Sequence, residues 1–99
     1  MASAVARVAM EQPRRYRGQL CRHFAHRLPV VLEEAQGSIA FAGGTCRLEA
    51  AGEALVMRLD ATDAAALETL QDVVARHLLR FAFRAPPEIS WVRQAGRSA

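Results

Sequence analysis

Within each of the segments that turns separate between Ile39 and Asp60, the large apolar side chains fall mostly on alternate residues, and that alternation constrains the fold more than any other feature. Cys46, Leu48 and Ala50 alternate with Thr45, Arg47 and Glu49, and Leu55, Met57 and Leu59 continue the apolar series while Arg58 and Asp60 oppose it. A period of two puts the apolar set on one face of a strand and the polar set on the other. One buried face and one wetted face is the pattern of an antiparallel sheet. The turns are marked as well: Gln36-Gly37, Gly43-Gly44 and Ala51-Gly52-Glu53. A two-glycine pair is a strong hairpin signal, and with no helix start behind it Gly43-Gly44 is not a phosphate cradle. Val30 to Ala35, β-branched at its start, adds a strand before the meander.

Helical periods flank this block. After Gln12-Pro13, where proline suits a first helical turn, Tyr16, Leu20, Phe24 and Leu28 recur every four residues until Pro29 closes the segment. Thr62 or Asp63 is suited to cap a second helix, and Leu67, Leu70, Val74, Leu78 and Phe81 carry it to about Phe83. Asp72 and Arg76 stand as a favourable i,i+4 pair on its outer side. Short strands close both ends, Ser3–Met10 and Glu88–Arg93, the latter with Ile89, Trp91 and Val92; Trp91 reads as a core or edge aromatic. The expected order is β-α-β-β-β-β-α-β. That is a two-layer α+β domain with both helices on the apolar face of an antiparallel-dominated sheet, spanning residues 1–93, with a frayed tail over 94–99.

Composition narrows the class. A chain of 99 residues has room for a single core and hides roughly 60–65% of its surface on folding. At 52% hydrophobic and net charge +3 it is not disordered. It lacks the apolar run of about 18 residues that a membrane span needs, and its start lacks the pattern of a secretory signal. Two cysteines, Cys21 and Cys46, make no disulfide scaffold, and a cytoplasmic location is expected. Both occupy apolar positions without a CxxC partner, which reads as buried, inert thiols.

All thirteen basic residues are arginine. Residues 1–30 hold six of them against Glu11, residues 31–75 hold eight acids against Arg47 and Arg58, and residues 76–99 hold five arginines against Glu88. An acidic middle between basic ends points to internal compensation more than to a nucleic-acid footprint. Arg14, Arg15, Arg17 and Arg22 still give the first helix a basic side, which Arg80 and Arg84 extend if the helices are neighbours. Weak nucleic-acid binding through that side is one alternative reading, though no recognised motif accompanies it.

The residues suited to metal or proton chemistry at neutral pH are His23, His26 and His77. At about 100° per residue, His23 falls on the flank of the first helix's apolar stripe, and His26 nearly opposite the stripe centre. His77 borders the apolar face of the second helix, so His23 and His77 meet if the helices lie side by side. A metal-dependent enzyme built on His23, His26 and His77 is the second alternative, although the spacing is not of the HExxH type. No residue is assigned a catalytic role and no cofactor is implied. The exposed edges of such a sheet allow a monomer or a homodimer.

Three stretches carry a resemblance: Arg15-Tyr-Arg-Gly-Gln-Leu-Cys-Arg-His23-Phe-Ala-His26, Phe41-Ala-Gly-Gly-Thr-Cys46 with Arg47-Leu48, and Arg76-His77-Leu-Leu-Arg80-Phe-Ala-Phe83-Arg84. Together they resemble a bacterial domain of unknown function, family 2218, over nearly the whole chain. The resemblance implies a free-standing α+β domain without an established activity. It also implies an occurrence near, or joined to, flavin-dependent siderophore-interacting proteins, and hence an accessory role in iron acquisition. The polar positions it marks are His23, His26, His77, Arg80 and Arg84. The reading is therefore a non-enzymatic binding or accessory module, with those five residues as candidate ligand contacts. Its expected partner is a small anionic or catecholate-like ligand, or a siderophore-interacting protein.

Overall fold

A computed structural model describes residues 1–94. Along the chain run β1 (Ala2–Ala9), α1 (Pro13–Phe24), β2 (Val30–Leu32), β3 (Gln36–Phe41), β4 (Gly44–Ala50), β5 (Ala54–Ala61), α2 (Ala64–Phe81) and β6 (Val92–Gln94). The six strands form one sheet in the order β2-β3-β4-β5-β1-β6, and every neighbouring pair is antiparallel. This is the α+β architecture and element order that the alternation predicts.

The register explains why one face of the sheet is apolar. Cys46 stands opposite Leu59 and Leu48 opposite Met57, while Ala4, Ala6 and Val8 of β1 face Leu59, Met57 and Leu55. All of these are buried, together with Ile39 of β3. The helices cover this face side by side: α1 packs on β2 to β5, α2 on β1, β4 and β5, and the two touch each other. Leu20 and Cys21 enter the core from α1, and Leu67, Leu70, Val74 and Leu78 from α2. Among the described residues the other face of the sheet carries no helix, and it presents Arg7, Arg47, Glu49 and Arg58. On α2, Asp63 caps the first turn by accepting from the Ala66 N–H at 2.8 Å, and Arg76 Nε pairs with Asp72 at 3.0 Å.

Several boundaries differ from the sequence reading, each for a local reason. Helix α1 stops at Phe24 rather than Leu28. The residues beyond it form a turn in which the Arg27 N–H and the Leu28 N–H both donate to the Phe24 carbonyl, ahead of the extended backbone that Pro29 demands of its neighbour. Helix α2 likewise ends at Phe81, leaving Phe83 exposed. Gln36-Gly37 is not a turn: both residues lie in β3, and the reversal occupies residues 33–35. Gly37 is there because a side chain at that position would collide with the Cys21 sulfur. The hairpin loop is Ala42-Gly43, with Phe41 opposite Gly44, and neither glycine takes a positive φ. Among the described residues of the C-terminal end only Val92–Gln94 pairs with β1; Ile89 and Trp91 pack on the core from outside the sheet. Gln94 thus belongs to β6 and not to a tail, and 95–99 lie outside the described residues.

Arg17 is the largest departure. The sequence groups it with a solvated basic side, but it is 7% exposed and reaches under the 33–35 turn. Its guanidinium donates to the carbonyls of Ala35 at 2.8 Å and Glu34 at 2.9 Å. A charged group that deep needs strong acceptors, and two turn carbonyls provide them.

Both thiols are buried and unpaired. Burial pushes Cys21 up despite the opposing charges of Arg17 and Arg22, and burial, reinforced by Cys21, pushes Cys46 up further. Neither therefore supplies a thiolate at neutral pH. Neither cysteine is expected to react with a disulfide-exchange reagent while the chain is folded, and both are expected to react within seconds in denaturant. Fast labelling of the native protein would contradict the packing described.

Candidate functional site

The side-by-side packing of α1 and α2 decides where the histidines go. His23 projects from the last turn of α1 and His77 from the middle of α2, and their ring centroids are 5.0 Å apart with the planes tilted by 45°. The helical phases of the two apolar stripes place both on the same seam, as observed. Aromatic rings continue the contact in several directions. His23 meets the edges of Phe24 at 5.1 Å and Phe81 at 5.5 Å, while Phe24 lies 4.8 Å from His77 and 5.1 Å from Phe41.

One hydrogen bond fixes the chemistry of His77. Its Nδ1 lies 2.7 Å from the Val73 carbonyl one turn earlier. A carbonyl oxygen only accepts, so Nδ1 carries the proton, and in the neutral ring Nε2 keeps the lone pair. His23 is exposed, yet its conjugate acid is held below the ordinary value by partial desolvation, then by His77, Arg80 and His26. Proximity to Arg80 is thus expressed electrostatically. Among the described residues no carboxylate bonds to either ring.

Next to the pair lies a groove of about 410 Å³ lined by His23, Phe24, His26, Arg27, Leu28 and His77. His26 reaches it because α1 has already ended. Past Phe24 the 100° rule no longer applies, and the turn swings His26 to the seam instead of the side opposite the apolar stripe. All three histidines therefore border one groove. They do not form a metal cage: among the described residues no group of three or more His, Cys, Asp or Glu side chains is placed to hold an ion. Arg84 is not part of the arrangement. It lies beyond the end of α2, with its guanidinium 5.6 Å from the Phe83 ring centroid. Arg27, by contrast, borders the groove although the sequence gives no reason to single it out, since it looks like one more arginine of the basic first third.

The family-model comparison matches residues 5–92 to DUF2218, described as an uncharacterized protein conserved in bacteria. The chain belongs to this family. Similarity to a solved structure agrees with that membership: the NMR structure of PA4090 from Pseudomonas aeruginosa shares 35% identity over 93% of this chain and 96% of that one, with a TM-score of 0.80. No curated protein matches the chain. DUF2218 membership thus confirms the resemblance carried by the histidine, glycine and arginine motifs, and among the described residues no helix is long and apolar enough to cross a membrane.

Proposed function

We propose that this DUF2218 domain is a non-enzymatic binding module whose site is the groove at the α1–α2 seam, and that it takes a small planar aromatic anion. The observation that carries this reading is the His23–His77 pair, 5.0 Å apart and walled by Phe24 and Leu28. Aromatic faces and edges at that spacing favour another ring, stacked or edge-on. Arg27 at the border and Arg80 near His23 supply charge-assisted donors for a carboxylate or phenolate. An accessory role in iron–siderophore metabolism, which the family resemblance implies, makes catecholates the first class to try.

The test is a titration of the full chain with 2,3-dihydroxybenzoate, benzoate and acetate, followed by amide and imidazole NMR shifts. The two aromatic anions are expected to give saturable changes at His23, Phe24, His26, Leu28 and His77, and acetate none. Replacing His77 with alanine removes one wall and is expected to weaken binding by roughly tenfold, the equivalent of one aromatic contact. Equal responses to acetate and benzoate, or shifts scattered away from the seam, would overturn the assignment.

A further inference from the structure

Among the described residues strand β2 is a free edge of the sheet, and its hydrogen-bond phase determines what it presents. The Glu33 N–H donates to the Gln36 carbonyl at 2.8 Å and the Ala40 N–H to the Pro29 carbonyl at 3.0 Å. Alternate residues of an antiparallel strand turn their backbone groups to the same side, so residues 29, 31 and 33 face β3. Val30 and Leu32 then point an N–H and a carbonyl each outward. Pro29 does not block this edge, because its missing N–H falls on the β3 side. Two of the exposed large apolar residues also sit here, Val31 at 59% and Leu32 at 42% exposure. Unpaired backbone and exposed apolar side chains together form a template for another strand.

The charges around the strand select the occupant. Arg27 precedes β2 and Glu33-Glu34 follow it, and among the described residues none of the three has an ion-pair partner. We propose that a second copy of this chain pairs with this edge, β2 against β2, antiparallel about a two-fold axis at Val31. In that register Val30 stands opposite Leu32 of the second copy and Leu32 opposite its Val30, which satisfies all four outward groups of each pair of residues. Val31 packs on its own equivalent on the helix-free face. The basic approach of one strand meets the acidic exit of the other at both ends, whereas a parallel pairing would set Arg27 beside Arg27. The two sheets become one sheet of twelve strands, closed by isologous symmetry and unable to extend through the same edge.

Sedimentation velocity of the ligand-free full chain over a range of concentration tests this. A monomer–dimer equilibrium is expected, with concentration-dependent amide shifts confined to residues 27–34. Val31→Lys is expected to leave the circular dichroism unchanged and abolish the dimer, as a lysine on an edge strand does. Arg27→Glu and Glu33→Arg are each expected to raise the dissociation constant by roughly tenfold, and the double variant to restore it. A chain that stays monomeric at millimolar concentration, a dimer that survives Val31→Lys, or a double variant that remains as weak as the singles would overturn the proposal. So would concentration-dependent shifts on the helices.

Discussion

Replacing Gly44 by valine is expected to lower the melting temperature by roughly 10–20 °C, the equivalent of about 2–3 kcal/mol of overpacking in a domain of this size. Gly44 opens β4 directly opposite Ala61 of β5. A Cβ there would run into the Asp60 carbonyl oxygen and come within 2.8 Å of the Ala61 Cα. Both obstacles are backbone, so no rotamer change relieves them; β4 and β5 must separate. That separation would propagate, because the Thr62 N–H donates to the Gly43 carbonyl at 3.0 Å and ties this hairpin to the start of α2. Gly52 supplies the control. It has a φ of 61°, and a Cβ placed there would meet nothing within 4 Å, so alanine costs only the left-handed backbone, about 1 kcal/mol. Thermal unfolding followed by circular dichroism distinguishes the two. A Gly44→Val protein that melts within a few degrees of the parent would show that the strands yield more easily than the geometry allows.

That contrast also marks where the sequence is legible. Cys46, Leu48, Leu55, Met57 and Leu59 announce the sheet because a period of two needs no information beyond the strand itself. The meeting of His23 and His77 is legible for a similar reason, since each lies on the border of a regular apolar stripe and the two stripes share a sheet. The signal fails where a residue's environment is set from elsewhere in the chain. Arg17 sits on α1 among other arginines, and only the carbonyls of Glu34 and Ala35 make it a buried clamp. Gly37 reads as a turn because glycine favours turns, and nothing local reports that the Cys21 sulfur occupies the space of its side chain. His26 and Arg27 reach the groove because α1 ends one turn early, and helix ends are set by competition among capping, proline and packing that periodicity does not register.

Binding of an aromatic carboxylate at the seam is expected to strengthen as pH falls from about 7.5 toward 5.5, by up to about tenfold for each unit by which the bound anion raises the His23 pKa. In the free protein His23 lies below its ordinary value of 6.5, because desolvation and the charges of His77, Arg80 and His26 disfavour the imidazolium. The sign for the empty protein follows: this contribution to stability is whole above 6.5 and is lost as pH falls through the lower folded value. An anion beside the ring reverses the balance, since it compensates the repulsion and favours the protonated form. The complex must therefore take up protons between the free and bound values, and lower pH favours it until the carboxylate itself is neutralised near about 4. Calorimetry in two buffers of different ionisation enthalpy measures that uptake directly. His23→Gln retains a polar group without a titration, and its binding is expected to lose the pH dependence while keeping part of the affinity. If the parent instead releases protons on binding, or if His23→Gln keeps the same pH profile, the anion does not sit against His23, and the groove's charge has been assigned to the wrong ring.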